Sequence, residues 1–235
     1  MSLDPTLDFN KNGHLFIPSL YNIDKINEFN QEFRNFLQKN EIYIHLKKRH
    51  DVQENSYFVN NSYTSLNSFQ KMQYYYLPVI DNRSSHNRTT DAGMVDFYNA
   101  DKLFPNIHSF FDIDLIKSIL QKITNSNWKL FRTNIQLCSN VVNPSSFHID
   151  NAQECVKCTI YLSDILYNEH GPPMYIEGSH ISENINGSNK NQSNNIKTFL
   201  GNKGDVLFSF QHGIHRKLPQ SNYTAGFVVF NFIKT

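Results

Sequence analysis

Two side chains that bind metal ions stand two positions apart in the stretch FHID, at His148 and Asp150. Residues i and i+2 of a β-strand point to the same face, so this imidazole and this carboxylate are expected to converge on one point. They supply two of the three ligands of a 2-His-1-carboxylate triad, which holds non-haem Fe(II) and leaves coordination positions open. Because the chain has 10 histidines, the spacing also arises by chance, and the prediction depends on a third ligand.

A later stretch, FSFQHGIHRK, offers two histidines three positions apart. On an alternating strand, His215 shares a polar face with Ser209 and Gln211, whereas His212 shares the opposite face with phenylalanines. If the polar face is turned toward the interior of a small barrel, His215 rather than His212 points at the metal. The same alternation places Lys217 on the face of His215 and predicts that Arg216 points away.

The CxxC pair of Cys155 and Cys158 raises the alternatives of zinc binding and redox chemistry. The surrounding residues are typical of a strand, in which this spacing puts the two thiols on opposite faces. A zinc site also needs a second ligand pair, which Cys138 alone does not supply. We therefore predict buried structural cysteines, and we expect Lys157 to lie on the outer face, opposite the apolar inner one.

Helices come first in the chain and strands later. Apolar residues recur at helical spacing from Ile23 to Leu37 and again over 112–124, and WKLFRTNIQLC then begins a strict alternation at Trp128. Further strand-like stretches follow up to residue 234. This order predicts an all-β sandwich or barrel with helices packed outside it. We expect a single domain over 1–235, with a mostly helical and loop part over 1–125 and the β core over 126–235.

Composition excludes several classes of protein. The 235 residues are 39% hydrophobic, which suits one packed domain, and the net charge of +1 offers no argument for a nucleic-acid or membrane partner. No apolar run reaches the roughly 18 residues of a membrane span. The N-terminal stretch lacks the basic and apolar regions of a signal peptide, so a cytoplasmic location is expected.

Four features, taken in order, resemble the phytanoyl-CoA dioxygenase family of Fe(II)- and 2-oxoglutarate-dependent oxygenases. They are the entry segment FNKNGHLFIPSL before a helix, FHID after a polar-faced strand, HGPPMYIEGSH, and GDVLFSF followed by a histidine. The resemblance implies a mainly β, double-stranded β-helix (jelly-roll, cupin-like) core with flanking N-terminal helices. It also implies iron bound by His148, Asp150 and His215, with 2-oxoglutarate and O2 as co-substrates of a small-molecule oxidation.

One feature departs from that family. Its members carry an arginine beyond the second histidine, which pairs with the far carboxylate of 2-oxoglutarate. The corresponding position in this chain is Gly226 or, with a short insertion, Val228, and neither is basic. Because a buried carboxylate without a partner is costly, either another residue supplies the positive charge or 2-oxoglutarate does not bind in the usual way. Lys217 and Arg132 are the candidates, and we favour Lys217.

Other polar residues on the strand of Arg132 are also candidates for the co-substrate site. Asn134 and Gln136 share its polar face and are donors to co-substrate or substrate. A solvated sheet face is the alternative explanation for them. Asp91 and Asp96, in contrast, are expected in a solvated turn.

Two functions remain open. The first is an Fe(II)/2-oxoglutarate oxygenase of a small molecule; the presence of Asp150 favours hydroxylation or a related oxidation over halogenation. The second is a non-catalytic or atypical jelly-roll metal or ligand binder that does not turn over 2-oxoglutarate. The substrate is not readable from the sequence. Residues 41–104 and 182–195 are expected to cover the mouth of the cavity.

Overall fold

The computed structural model describes residues 5–40, 57–59, 62–64, 78–83, 90–150, 154–181 and 195–235. Its helices are α1 (Pro5–Asn12), α2 (Ile23–Lys39), α3 (Ala100–Leu103), α4 (Ile107–Phe110) and α5 (Ile113–Thr124). Its strands are β1 (His14–Ile17), β2 (Tyr57–Val59), β3 (Ser62–Thr64), β4 (Val79–Asn82), β5 (Met94–Tyr98), β6 (Trp128–Ser139), β7 (Cys155–Tyr161), β8 (Pro173–Ile176), β9 (Ile196–Thr198), β10 (Val206–Phe210), β11 (His215–Lys217) and β12 (Thr224–Lys234).

The described strands form two antiparallel sheets. The larger sheet has nine strands in the order β1-β10-β7-β12-β6-β5-β4-β2-β3, and the smaller has three in the order β11-β8-β9. The longest pairing joins β12 to β6, and β12 also pairs with β7 on its other side. Five strands of the larger sheet precede residue 126, so the N-terminal part of the chain extends the sheet as well as covering it.

The two long helices follow the sequence pattern closely. Helix α2 begins after Asn22, whose side chain accepts a hydrogen bond from the Asp24 backbone N–H at 2.8 Å. Helix α5 begins after Asp112, which caps the backbone N–H groups of Asp114 and Leu115. Such caps satisfy N–H groups that have no partner inside the helix. Each helix buries one apolar stripe, as the helical spacing predicted.

Alternation gives the larger sheet two different faces. In β12, Val228 and Phe230 belong to the core that includes the helices, whereas Phe227 and Val229 belong to a second core between the sheets. All four side chains are buried. The helices therefore cover one face of the nine-stranded sheet, and the small sheet covers part of the other face.

This arrangement is a mainly β fold with a jelly-roll core and flanking helices, and the predicted fold class is confirmed. Among the described residues, no helix is long and apolar enough to cross a membrane. Most of the segments that were expected to cover the cavity mouth, including 41–56, 65–77 and 182–194, lie outside the described residues.

Candidate metal centre

His148, Asp150 and His215 converge at one point between the two sheets. Their ligand atoms all lie within 4.8 Å of one another. Asp150 Oδ1 is 3.3 Å from His148 Nε2, and Asp150 Oδ2 is 3.2 Å from His215 Nε2. Among the described residues, this is the one group of three or more histidine, cysteine, aspartate or glutamate side chains with the spacing to hold a metal ion.

Backbone pairing explains how residues far apart in the sequence meet here. His148 and His215 form an isolated antiparallel bridge, in which each backbone N–H donates to the carbonyl of the other at 3.0 and 2.9 Å. The Asp150 N–H donates to the Gln211 carbonyl at 3.1 Å. The loop with FHID is therefore fixed to the segment that leads into β11.

The second nitrogen of each imidazole is also held. His148 Nδ1 lies 2.8 Å from the Ser146 carbonyl, and His215 Nδ1 lies 3.0 Å from the Gly213 carbonyl. A carbonyl oxygen accepts a hydrogen bond only from a protonated nitrogen, so Nδ1 carries the proton in each neutral ring. The lone pair is then on Nε2, which faces a carboxylate oxygen of Asp150. Metal-binding histidines commonly have their second nitrogen oriented in this way. The donor set therefore fits a divalent transition-metal ion.

Lys157 was predicted to lie on an outer face, and that prediction is wrong. Its side chain lines the cavity, and its Nζ donates a hydrogen bond to Asp150 Oδ2. Burial by itself raises the pKa of Asp150, but the charge of Lys157 and the hydrogen bonds of the two histidines outweigh burial and hold that pKa far below its usual range. The prediction failed because the apolar face of β7 packs against the helices and the more polar face turns inward.

The candidate metal centre opens into a cavity of about 190 Å³ between the sheets. Its apolar wall includes Tyr175, Phe199, Leu207 and Phe227, and Thr159 and Ser209 add hydroxyl groups. A cavity that combines apolar walls with convergent polar groups is typical of a small-molecule site.

Lys217 also lines this cavity. Its Nζ is buried, and among the residues that the structure describes it faces the Cys138 thiol and no carboxylate. Burial raises the pKa of that thiol, and the charge of Lys217 and its contact with the sulfur oppose that rise. Gly171 has a φ of +72°, which favours glycine, and a Cβ there would lie 2.9 Å from Gln220 Cβ and 3.3 Å from Lys217 Cε. A buried ammonium without an anion is costly unless a ligand supplies one.

The other residues predicted for the co-substrate divide along β6. Gln136 lines the cavity and donates a hydrogen bond to Asp96 Oδ1 at 2.8 Å. Arg132 and Asn134 are not among the cavity-lining residues; the guanidinium of Arg132 lies 5.1 Å from the centroid of the Phe131 ring. Arg132 pairs with Asn231, which pairs in turn with the cavity-lining Lys157, so Arg132 lies two strands away from Lys157 at the same level of the sheet; a role for Arg132 or Asn134 at the co-substrate stays a prediction.

The two positions at which the resembled family would carry its arginine do not face the cavity. Val228 is fully buried in the core shared with the helices. Gly226 is two positions earlier on the same face, and a Cβ there would lie 3.3 Å from the side chains of Leu137 and Leu162. The inward position between them is Phe227, which lines the cavity. Strand β12 therefore contributes no cation to this site.

One cation of the cavity was missed from the sequence. Arg83, just after β4, lines the cavity and forms ion pairs with Asp81, Asp91 and Asp96. Burial disfavours its charge, but Asp96, Tyr98 and Asp81 outweigh burial and raise the pKa of Arg83 above its usual range. The available signal was the i, i+2 spacing of Asp81 and Arg83, which puts opposite charges on one face.

The two aspartates expected in a solvated turn are structural instead. Asp96 is fully buried in β5 against Arg83. Asp91 accepts hydrogen bonds from the backbone N–H of Ser145, at 2.8 Å, and from its hydroxyl. Its own N–H donates to the Asn143 carbonyl at 2.8 Å. Asp91 thus fixes the loop that carries His148, three residues beyond Ser145.

The neighbours of His215 differ in part from their predictions. His212 is outside the three-residue group, and its ring packs 4.9 Å from the Phe210 ring, as its predicted face implied. Arg216 was predicted to point away, but it is half-buried and borders the cavity, with its guanidinium 5.2 Å from the Phe147 ring centroid. The correction follows from the position of β11 at the edge of the small sheet, where the chain crosses the end of the cavity.

The CxxC cysteines are buried, as predicted. None of the three cysteines forms a disulfide, and burial raises the pKa of the Cys155 and Cys158 thiols. Cys158 is part of the core shared with the helices. A protonated, buried thiol is a poor metal ligand and a poor nucleophile.

No family model and no curated protein sequence matches the chain, so the resemblance to the phytanoyl-CoA dioxygenase family stays a prediction. Several solved structures share the fold of this chain. SnoN, a non-heme alpha-ketoglutarate-dependent epimerase from nogalamycin biosynthesis, is 13% identical with a TM-score of 0.65; the match covers 97% of this chain and 80% of SnoN. HygX from Streptomyces hygroscopicus, with nickel and 2-oxoglutarate bound, is 14% identical with a TM-score of 0.61, over 100% of this chain and 88% of HygX.

A third neighbour, EvdO2 from Micromonospora carbonacea var. aurantiaca, has a TM-score of 0.66 at 12% identity. The match covers 99% of this chain and 90% of EvdO2. At such identities the likeness establishes the shared fold and leaves the activity of this chain to the arguments from its own residues.

Proposed function

We propose that this protein is an Fe(II)- and 2-oxoglutarate-dependent oxygenase that oxidises a small molecule. The observation that carries the proposal is a pair of features in one cavity. A His-Asp-His group with metal-binding spacing lies in it, and so does the buried ammonium of Lys217, which has no anionic partner among the described residues. The first suits a divalent metal, and the second suits the far carboxylate of a 2-oxo diacid.

Each residue has a defined role in this proposal. His148, Asp150 and His215 hold the metal, and the carbonyls of Ser146 and Gly213 fix the tautomer of the two histidines. When bound, Fe(II) supplies the activation of O2 that is coupled to the decarboxylation of 2-oxoglutarate to succinate.

Lys217 binds the far carboxylate of 2-oxoglutarate in our proposal, in place of the arginine that β12 lacks. The cavity wall of Tyr175, Leu207 and Phe227 keeps water from the reacting atoms. A charge-assisted hydrogen bond in such surroundings is stronger than in water.

The substrate and the outcome of the oxidation are the finer part of the proposal. We favour hydroxylation of a small molecule, because Asp150 occupies the position that halogenases of the resembled family leave to chloride. Among proteins of this fold, SnoN has been crystallised with nogalamycin RO and HygX with hygromycin B. SnoK is described as a carbocyclase, so the fold supports more than one outcome of related chemistry.

The decisive experiment uses the full-length chain under anaerobic conditions. Adding Fe(II) and 2-oxoglutarate together should give the weak visible charge-transfer band of a chelated 2-oxo acid, and a chelator should remove it. In air, the same mixture should form succinate slowly without substrate. If neither band nor succinate appears, the chain is a jelly-roll protein that does not turn over 2-oxoglutarate, and the proposal fails.

A further inference from the structure

Lys157 contacts Asp150 of the candidate metal centre, and the proposed function gives it no role. It stands near the start of β7, between Ser209 of β10 and Asn231 of β12 in the sheet register. Its side chain is 21% exposed and that of Asp150 is 32% exposed, so the contact between them is only partly shielded from water. Ion pairs in such a setting are screened less than surface pairs.

The two oxygens of Asp150 have different neighbours. Oδ1 faces His148 Nε2 at 3.3 Å, whereas Oδ2 is in contact with both Lys157 Nζ and His215 Nε2. An ammonium that touches a metal-binding carboxylate has two opposite effects. It competes with a cation for the charge of that carboxylate, and it attracts any anion that binds beside it.

The balance of charge around the cavity makes both effects matter. The charged side chains that line it, among the described residues, are Arg83, Lys157, Arg216, Lys217, Asp91 and Asp150. Arg83 pairs with Asp91, and Lys217 has no anionic partner among the described residues. Asp150 is thus the carboxylate that Lys157 would share with a bound metal.

We propose that Lys157 tunes this centre by charge: it weakens the binding of a divalent metal and strengthens the binding of an anionic 2-oxo acid to the metal-loaded site. The inference rests on the proposed function. Lys157 acts through Asp150 and through the anion, so it is a positioning and charge-balancing residue.

The test compares Lys157→Met with the wild-type protein. Co(II) affinity is measured anaerobically by competition with a chromophoric chelator, and 2-oxoglutarate affinity is measured on the metal-saturated proteins. We expect Lys157→Met to bind Co(II) about tenfold more tightly and 2-oxoglutarate about tenfold more weakly, as loss of one nearby positive charge implies. Lys157→Arg should resemble the wild type, and Lys129→Met, an exposed lysine of β6, should change neither affinity.

Opposite shifts in the two affinities separate tuning from structural damage, which would lower both. If Lys157→Met lowers Co(II) affinity, Lys157 supports Asp150 as a ligand and the inference is wrong; unchanged affinities also overturn it. Lys157→Gln, which keeps a polar group, provides the same test if the methionine variant does not fold. Wild-type protein that binds no Co(II) would instead contradict the proposed function itself.

Discussion

The two faces of the nine-stranded sheet are built by the same strands and differ in composition. The face toward the helices is apolar throughout its centre, with Phe208, Val228 and Phe230 fully buried. The face toward the small sheet carries Lys157, Gln136 and other polar residues between apolar ones, and the candidate metal centre opens onto it. Neighbouring residues of one strand therefore differ in role: one packs in the apolar core against the helices, and the next lines the cavity.

We expect stability and ligand binding to depend on different faces of this sheet. A closely packed apolar layer stabilises the fold through burial, at about 1.5–3 kcal/mol per large side chain. Charged residues on the opposite face are costly to bury and are kept where ligands neutralise them. Substitutions on the helix face should lower the free energy of unfolding and leave ligand affinity unchanged. Substitutions on the cavity face should lower ligand affinity and leave the free energy of unfolding nearly unchanged.

The largest effect should come from Phe230→Ala on the helix face. Phe230 is fully buried and its ring lies 5.9 Å from that of Phe111. Removal of such a ring leaves a cavity and should lower the free energy of unfolding by about 3–5 kcal/mol. Denaturant unfolding measures this loss, and Co(II) affinity at low temperature checks that the opposite face is intact. Loss of metal binding in a folded variant would break the separation of the faces.

The next effect contrasts two histidines of one stretch. His215→Ala removes a proposed ligand and should weaken Co(II) binding by more than about 100-fold. Loss of a residue that only hydrogen-bonds to a metal ligand costs up to about 100-fold, and loss of the ligand itself should cost more. His212→Ala is the matched control, because His212 lies outside the three-residue group, and it should leave metal affinity near that of the wild type. Equal losses in the two variants would show that alternation does not assign the ligand.

A smaller effect is expected at the far end of the cavity. Lys217→Met should weaken 2-oxoglutarate binding to the metal-loaded protein by about 10- to 100-fold, the range of a charge-assisted hydrogen bond. The affinity for 2-oxobutanoate, which lacks the far carboxylate, should barely change. Arg132→Met is the control from outside the cavity lining; if it rather than Lys217→Met selectively weakens 2-oxoglutarate binding, the assignment is wrong.

The smallest effect concerns pH. Burial lowers the pKa of His14, His180 and His212, and it is the largest influence on each. As pH falls below about 6.5, these histidines are therefore protonated in the unfolded chain before they are protonated in the folded protein. Protonation then favours the unfolded state, so these three histidines lower the free energy of unfolding at acidic pH. In metal-free protein, the raised pKa of His148 opposes this decrease, so the test compares variants: between pH 7.5 and pH 5.5, His212→Phe should lose less melting temperature than the wild type. An equal or larger loss in His212→Phe would contradict this assignment.

Much of the fold was predictable from the sequence because local patterns determine it. The helical spacing and caps specify α2 and α5, and the alternation over WKLFRTNIQLC specifies β6. The candidate ligands were named from residue type and spacing, but the strand geometry assumed for them is not observed. His148 and Asp150 lie in a loop, and β10 ends at Phe210 before His215 begins β11 in the other sheet. The helices and β6 are properties of single segments, whereas the three candidate ligands meet through backbone pairing between segments.

What the tertiary structure decided is which face each strand turns inward. Lys157 and Arg83 enter the cavity because the helices take the apolar face of the sheet, and the charged residues of the other face then meet across the gap. Alternation divides the residues of a strand into two sets, but it does not say which set is inside. The sequence alone thus determined the two long helices, the β6 strand and the residue types of the candidate triad, and the packing of helices against the sheet determined the charges around that triad.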